Sequence, residues 1–184
     1  PRVMEAMNTV WTGSRDQVHR VAAEVTVAVV RAQAIQAPAR APDDSLVAAA
    51  VAQIKTRYDG TNGGFGGAPK FPPTMRLELL RQMAHDAEAG SIVSHTLEAM
   101  SRGGIYDHVG GGFHRYATDA QWRVPHFEKM LYNQAQMLRL YAGAYAATAD
   151  ERWRLVSEGI LSYVRREMVS PEGGFYSALD AESE

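Results

Sequence analysis

Apolar residues recur every three to four positions along most of the chain, which is the spacing of amphipathic helices. The pattern predicts two helices before residue 35, a short one at about 3–11 and a longer one at 14–34. Five more helices follow after a gap. Each of the five starts at a proline or at an N-capping residue such as Asp or Ser, types that favour the first turn. Their predicted starts are near residues 43, 73, 91, 125 and 150.

Two of these helices have well-defined apolar faces. The helix at 91–101 places five residues on one side at helical spacing. They are Ile92, Val93, Thr96, Leu97 and Met100. In the helix predicted to start near Pro125, a wide apolar stripe runs from Phe127 through Tyr141 to Tyr145. Both faces are expected to pack against neighbouring helices.

No alternating run of polar and apolar residues is long enough for a sheet, so the fold class is all-α. Only the runs GGF, GFHRY and GGFYS could form small hairpins. A glycine pair followed by an aromatic residue recurs between helices, in loops at 63–67, 103–113 and 173–176. Self-similar helix pairs with such loops predict helical hairpins set in a ring, with the loops gathered at one end to form a site.

Glycine pairs after a helix suit a chain reversal, and this explains the loop at 63–67 without any further role. The sequence GGFGGAPK there does not match the phosphate-binding pattern GxxxxGK[ST], and no strand is predicted before it. The Ala- and Pro-rich segment at 35–44 lacks periodicity and is predicted to be a linker between domains.

The composition excludes several classes of function. The 184 residues carry a formal net charge of −2 without a basic run, so no nucleic-acid partner is expected. No apolar stretch is long enough to cross a membrane. There is no cysteine, which excludes disulfides and thiolate sites and fits a cytoplasmic protein. Both termini look cut, so we expect a piece of a longer protein.

The stretch GGIYDHVGGGFHRYATDAQWRVPHFEKM at 103–130 is too long and too rich in charged and aromatic residues for a simple turn. Its apolar residues predict an ordered loop, and a loop of this kind is typical of a polar ligand pocket. Aromatic rings would face the C–H surface of a sugar, and charged groups would bind its hydroxyls. The candidate rings are Tyr106, Phe113, Tyr116, Trp122 and Phe127. The candidate polar groups are Asp107, His108, His114, Arg115, His126 and Glu128.

Three interpretations of this loop remain open. In sugar epimerisation or isomerisation, a histidine would serve as acid and base near neutral pH, whereas hydrolysis would need two opposed carboxyl groups. Asp107, Asp119, Glu128 and Asp180 are the carboxyl candidates. A metal site is disfavoured, because the histidines at 108, 114 and 126 match no compact ligand spacing. A structural role is the third interpretation. His126, predicted in the first turn of the helix from Pro125, is the best functional candidate.

The motifs GGFGGAPKFP, GGIYDHVGGGFHRYATDAQWRVPHFEKMLY and SPEGGFYSALDAESE resemble the YyaL-type thioredoxin-domain-containing proteins, a family that includes a mammalian spermatogenesis-associated thioredoxin-like protein. The resemblance implies a partial (α/α)6 toroid, of the kind found in N-acylglucosamine 2-epimerases and six-hairpin glycosidases. It also implies that residues 1–34 are the helical tail of a thioredoxin-like domain, 35–44 a linker and 45–184 the first hairpins of an incomplete toroid. No redox activity is implied, because the redox cysteines are absent.

Motif and chemistry together give one set of candidate site residues. The predicted catalytic residues are His126, His114, Asp107 and Glu128. The predicted substrate-binding residues are Arg115, Trp122, Tyr106, Lys129 and Asp180. No metal and no cofactor are predicted. The leading hypothesis is a sugar-active domain, isomerase-like or glycosidase-like, with a sugar as ligand. The alternatives are a non-catalytic partner-binding or regulatory module and a fragment with no activity of its own. Self-association, or contact with the rest of the toroid, is expected from uncovered apolar faces.

Overall fold

The computed structural model describes residues 2–34, 41, 43–83 and 85–182. The chain divides into two compact units, Pro1–Pro42 and Asp43–Glu184. The predicted linker at 35–44 lies mostly outside the described residues.

The first unit contains helices α1 (Arg2–Gly13) and α2 (Arg15–Gln33), which confirms the two helices predicted there. At their junction the Trp11 ring lies 4.5 Å from the Arg15 guanidinium carbon and 5.6 Å from the His19 ring. Neither helix contains a buried residue over its described length. That this unit is the tail of a thioredoxin-like domain stays a prediction.

The described residues of the second unit form five helices and four two-residue strands. The helices are α3 (Asp44–Lys55), α4 (Thr74–Arg81), α5 (Ala87–Arg102), α6 (Leu131–Thr148) and α7 (Glu151–Tyr163). A π-helical turn, Val164–Met168, extends α7. The strands are β1 (Tyr116–Ala117), β2 (Pro125–His126), β3 (Lys129–Met130) and β4 (Ala178–Leu179). No helix in the described part of the chain is both long and apolar enough to cross a membrane.

Aspartate side chains fix the starts of three helices by accepting backbone N–H groups of the first turn. Asp43 accepts from Ser45, Asp86 from Ala89 and Asp150 from Arg152. The caps of α3 and α7 were predicted. Because Asp86 is also a cap, α5 begins four residues before the predicted start at Ser91.

The core of the second unit lies between α4, α5, α6 and α7. The five residues predicted to form the face of α5 are all buried, and Ala89 joins them. Tyr141 on α6 is fully buried, and its hydroxyl donates to the Leu97 carbonyl oxygen on α5 at 2.7 Å. The Phe113 ring stacks on the Tyr141 ring, with the centroids 5.5 Å apart. The loop at 103–130 is therefore anchored in the core.

The prediction of a helix from Pro125 is wrong, because α6 begins only at Leu131. Residues 125–130 are held extended by pairing with other loop segments. Pro125 and His126 pair with β1, and Lys129 and Met130 pair with β4. These contacts outweigh the local preference of proline for a helical first turn. His126 is thus in a strand, not at a helix N-terminus, and the exposed Phe127 is not part of an apolar stripe.

Candidate functional site

Three loops rich in glycine meet in the second unit, and we call them the first (56–73), second (103–130) and third (169–182) glycine loops. Lys70 and Ala117 exchange both backbone hydrogen bonds, at 2.8 and 2.9 Å, and so join the first loop to the second. Strands β3 and β4 join the second loop to the third. Short strand pairs thus place loops from three parts of the sequence side by side.

The first two loops share one hydrogen-bonding pattern on the sequence Tyr-Asp-x-x-x-Gly-Gly-Phe. The aspartate Oδ1 accepts two backbone N–H groups of its own loop, and its own N–H donates to the carbonyl of the second glycine. The flanking tyrosine and phenylalanine form a β-bridge in each case, Tyr58 with Phe65 and Tyr106 with Phe113. The glycine repeat seen in the sequence is therefore a repeated structural unit.

Each of these two loops holds a buried lysine. Asp59 Oδ2 lies 2.7 Å from Lys70 Nζ, and Asp107 Oδ2 lies 2.7 Å from Lys129 Nζ. Each ammonium also donates to a backbone carbonyl, that of Ala120 or of Gly111. In the third loop a serine takes the aspartate's place, and Gly174 N–H donates to its hydroxyl at 3.2 Å.

The surroundings of Asp107 and Lys129 favour a structural role for both predicted site residues. Desolvation opposes the charge on Asp107, but the Lys129 ammonium and two loop N–H groups outweigh it and lower its pKa to about 2. The Lys129 Nζ also lies 4.2 Å from the centre of the Tyr163 ring. All these contacts are internal, so the pair is occupied in holding the loop together.

His114, a predicted catalytic residue, is buried, and its ring meets the Phe127 ring edge-on at 5.2 Å. Burial, and then the nearby Lys129 charge, lower the pKa of His114 to about 4. Its imidazole is therefore neutral at pH 7, and it cannot exchange a proton with a substrate near that pH as readily as an ordinary histidine.

Trp122 and Tyr106, both predicted to bind substrate, pack inside the second unit. Trp122 is fully buried, and its Nε1 donates to the Asn62 carbonyl at 2.9 Å. Gly64 lies so close to that indole that a Cβ there would sit 2.6 Å from a ring carbon. The half-buried Tyr106 points its hydroxyl at Gly159 on α7. Both rings thus contact the protein interior in this structure, and their predicted role in substrate binding stays a prediction.

His126 lies in a row of three stacked rings at the surface. Its imidazole stacks on Tyr116 with centroids 4.8 Å apart and an interplanar angle of 18°. Tyr116 stacks in turn on Phe71 of the first loop at 4.7 Å and 30°. The pairing of Lys70 with Ala117 brings Phe71 there, and sequence reasoning missed it. Only its position between Lys70 and a pair of prolines, in APKFPP, hinted at an unusual aromatic residue.

Glu128 and Arg115 lie beside His126. Glu128 Oε2 is 2.7 Å from Arg115 Nη1 and 3.9 Å from His126 Nδ1. The Arg115 N–H donates to the Glu128 carbonyl oxygen at 2.7 Å, so the backbone fixes these two side chains next to each other. Tyr132 lies beside the same guanidinium.

The structure thus brings three of the nine predicted residues, His126, Glu128 and Arg115, together at the surface, with Tyr116 and Phe71 as added aromatic groups. Two others, Asp107 and Lys129, form a separate internal pair. Asp180 is exposed just after β4, and its carboxylate accepts the N–H of Ala181. No group of three or more His, Asp or Glu side chains among the described residues is arranged to hold a metal ion. The cluster offers a charged dyad and a ring surface to solvent.

The chain is 49% identical over 138 residues to human spermatogenesis-associated protein 20, a match that covers 71% of this chain and 18% of the human protein. The chain thus spans about a fifth of the length of the relatives it matches. No protein-family model matches the sequence.

Comparison of structures identifies the fold. A sugar epimerase from a ruminal bacterium matches with a TM-score of 0.61 and 16% identity, over 74% of this chain and 40% of the epimerase. The cellobiose 2-epimerase of Bacillus thermoamylovorans matches with a TM-score of 0.60 and 13% identity, over 77% and 43%. The predicted fold class is confirmed. The chain has the fold of part of an (α/α)6 toroid, and in sequence it is similar to spermatogenesis-associated protein 20.

Proposed function

We propose that the chain is part of a sugar-active toroid that moves a proton on a sugar, as an epimerase or isomerase does, with His126 as the acid–base group. The observation that carries the proposal is the surface cluster in which the partly exposed His126 stacks on Tyr116 and Phe71 beside Glu128. Ring surfaces suit the C–H face of a sugar, and an imidazole can exchange protons near neutral pH.

Proton transfer suits the cluster better than hydrolysis. A glycosidase of the usual kind keeps one of two opposed carboxyl groups protonated. Desolvation opposes the negative charge on Asp107, but Lys129 and loop N–H groups stabilise that charge and hold the pKa of Asp107 at about 2. Backbone N–H groups likewise lower the pKa of Asp119 despite its desolvation. Glu128 is ion-paired with Arg115. Asp107 and Asp119 are thus poor sources of a proton, and the Glu128 carboxylate is already bound to a cation.

The fold adds support of a general kind only, because toroids of this type host several chemistries. Solved structures of the same fold include sugar epimerases and a D-mannose isomerase. Their sequence identity to this chain is 20% or less, so they suggest a class of reaction and no particular substrate.

A partner-binding module is the second candidate function. Phe127, Phe175 and Leu179 expose large apolar side chains on the second and third glycine loops. Exposed apolar groups on loops that a strand pair holds side by side are typical of a protein interface. In this reading the same end of the second unit binds another protein, another copy of the chain or further helical hairpins.

The test is carried out on the full-length protein in D2O. Monosaccharides, disaccharides and N-acyl sugars are screened by NMR for binding and for solvent deuterium entering a carbon-bound position. The key variant is His126→Phe, which keeps a ring to stack on Tyr116 and removes the acid–base group. His85→Ala, at an exposed histidine on the turn before α5, is the matched control.

Exchange in the wild type and in His85→Ala, with loss in His126→Phe while the sugar still binds, is the expected result. If the folded protein binds no sugar in the screen, the sugar proposal fails and the partner-binding module becomes the better account. Exchange that survives in His126→Phe would remove His126 from the mechanism.

A further inference from the structure

Glu128 lies between two basic side chains but is hydrogen-bonded to only one of them. Its Oε2 receives Arg115 Nη1 at 2.7 Å, the length of a charge-assisted hydrogen bond. The same oxygen lies 3.9 Å from His126 Nδ1, which is beyond hydrogen-bond distance. The carboxylate therefore belongs to Arg115 in this structure, with His126 as a close second neighbour.

Two buried nitrogens beside this carboxylate have no hydrogen-bond partner among the described residues. They are His126 Nδ1 and Arg115 Nε. A buried N–H without an acceptor is destabilising. The neighbouring acceptor is the Glu128 carboxylate, whose Oε2 lies 2.7 Å from Arg115 Nη1 and 3.9 Å from His126 Nδ1. Arg115 holds Glu128 Oε2 at 2.7 Å, and in this position the oxygen stays 3.9 Å from the histidine nitrogen.

The groups that face His126 are few. Tyr116 of β1 covers one face of the imidazole, and Phe71 beyond it is uncharged. Glu128 approaches Nδ1 with Arg115 attached to it. The side chains of Arg115 and His126 are 41% and 38% exposed, whereas that of Glu128 is only 18% exposed. Glu128 is thus the least exposed of the three side chains, so its charge is the least screened by solvent and acts most strongly on the imidazole.

We infer that Arg115 is a positioning residue that sets the basicity of His126 by holding Glu128 away from it. While Arg115 binds Oε2, the imidazole lacks an acceptor for an Nδ1 proton. When Arg115 is removed, a side-chain rotation brings the carboxylate to Nδ1. A carboxylate on Nδ1–H stabilises the imidazolium and makes Nε2 the proton-accepting nitrogen of the neutral ring.

The inference rests on the proposed function for its catalytic meaning, because it assigns Arg115 a part in tuning the proposed acid–base group. Its test needs no sugar. The titration of His126 is measured by proton–carbon NMR of the imidazole Cε1–H, in the wild type and in three variants. The variants are Arg115→Gln, Glu128→Gln and the double variant, and the signal is assigned from its absence in His126→Phe.

In the wild-type background, Arg115→Gln is expected to move the His126 titration midpoint to higher pH, and by less than half as much in the Glu128→Gln background. The comparison matters because removal of the positive charge of Arg115 raises the midpoint slightly by its field alone. Only the part of the rise in the His126 midpoint that disappears in the Glu128→Gln background reports the release of the Glu128 carboxylate.

Arg154→Gln is the matched control. Arg154 is an arginine of α7 paired with Glu151 and Glu158, and its loss is expected to leave the His126 midpoint unchanged. Arg115→Gln keeps the backbone hydrogen bond to Glu128, and the spread of the amide signals verifies the fold of each variant.

The inference would be overturned if Arg115→Gln raised the His126 titration midpoint equally with and without Glu128, or did not raise it at all. Neither result bears on sugar turnover, which is measured separately. Conversely, a protein that binds no sugar can still show the Glu128-dependent rise. In an active protein, the acid limb of the pH–rate profile is expected to move to higher pH in Arg115→Gln together with the NMR midpoint.

Discussion

Replacement of Asp107 by Asn tests whether the ion pair with Lys129 stabilises the second unit. The amide keeps the shape of the carboxylate and an oxygen for the N–H groups of Val109 and Gly110. It removes the negative charge 2.7 Å from a lysine whose side chain is only 5% exposed. The Lys129 ammonium is then left with the Gly111 carbonyl and the Tyr163 ring.

The magnitude follows from the pKa of Asp107. Its folded value of about 2, against an ordinary value of 3.8, corresponds to about 2 kcal/mol of stability at neutral pH. The folded pKa is the lower one, so this contribution is present in full above about pH 5 and is lost as the pH falls toward 2. The Asp107 side chain is 26% exposed, which is why the expected loss lies below the 3–5 kcal/mol typical of a fully buried pair.

The assay is urea unfolding followed by tryptophan fluorescence. Trp122 and Trp153 are buried in the second unit and report on it directly. We expect the wild type to exceed Asp107→Asn by about 2 kcal/mol at pH 6 and by less than about 1 kcal/mol at pH 2.5. Glu158→Gln, which removes one partner of an exposed ion pair on α7, is the control and should change stability by less than about 0.5 kcal/mol.

Two results would refute this reasoning. A difference between wild type and Asp107→Asn that does not depend on pH would mean that packing, not charge, explains the loss. A loss at pH 6 no larger than that of the control would mean that the ion pair adds nothing to stability despite its burial.

The remaining predictions concern other loop residues. The folded pKa of His114, about 4, lies below its ordinary value of 6.5, so the wild type should lose up to about 3 kcal/mol as the pH falls from 6.5 to 4. His114→Phe should escape most of that loss in urea unfolding at the two pH values, and an equal loss would contradict a buried neutral imidazole. Gly112 has a φ of +79°, and an added Cβ would lie 2.7 Å from a Tyr163 ring carbon and 2.9 Å from Gln134 Oε1. Gly112→Ala should therefore destabilise by about 2–3 kcal/mol, whereas Gly90→Ala, in open space on α5, should stabilise by up to about 1 kcal/mol. Thermal unfolding of both variants checks this, and similar shifts in the two would be inconsistent with strain at Gly112.

Much of the helical framework was predictable from local sequence. The buried face of α5 was predicted residue by residue, because which side of a helix packs depends on spacing along the chain. The caps at Asp43 and Asp150 were predictable for the same reason, since a cap bonds its own first turn. The glycine repeat likewise marked two loops that share one hydrogen-bonding pattern.

The site was only partly predictable. The charged stretch at 103–130 was predicted to form the site, and within it His126, Glu128 and Arg115 lie together. The sequence did not show that Trp122 is buried, or that Lys129 turns inward to Asp107. A tryptophan or lysine in a loop looks the same in sequence whether it faces solvent or the core, so burial depends on what packs against it.

Residues close together along the chain therefore predicted most of the helices, the class of fold and the loop in which the candidate site residues lie. Tertiary structure decided that residues 125–130 are extended and that Phe71 stacks on Tyr116. It also decided that Glu128 binds Arg115 in preference to His126. Each of these features requires contact between segments far apart in sequence or on opposite sides of a loop, and such contacts outweigh local preference where the loops meet.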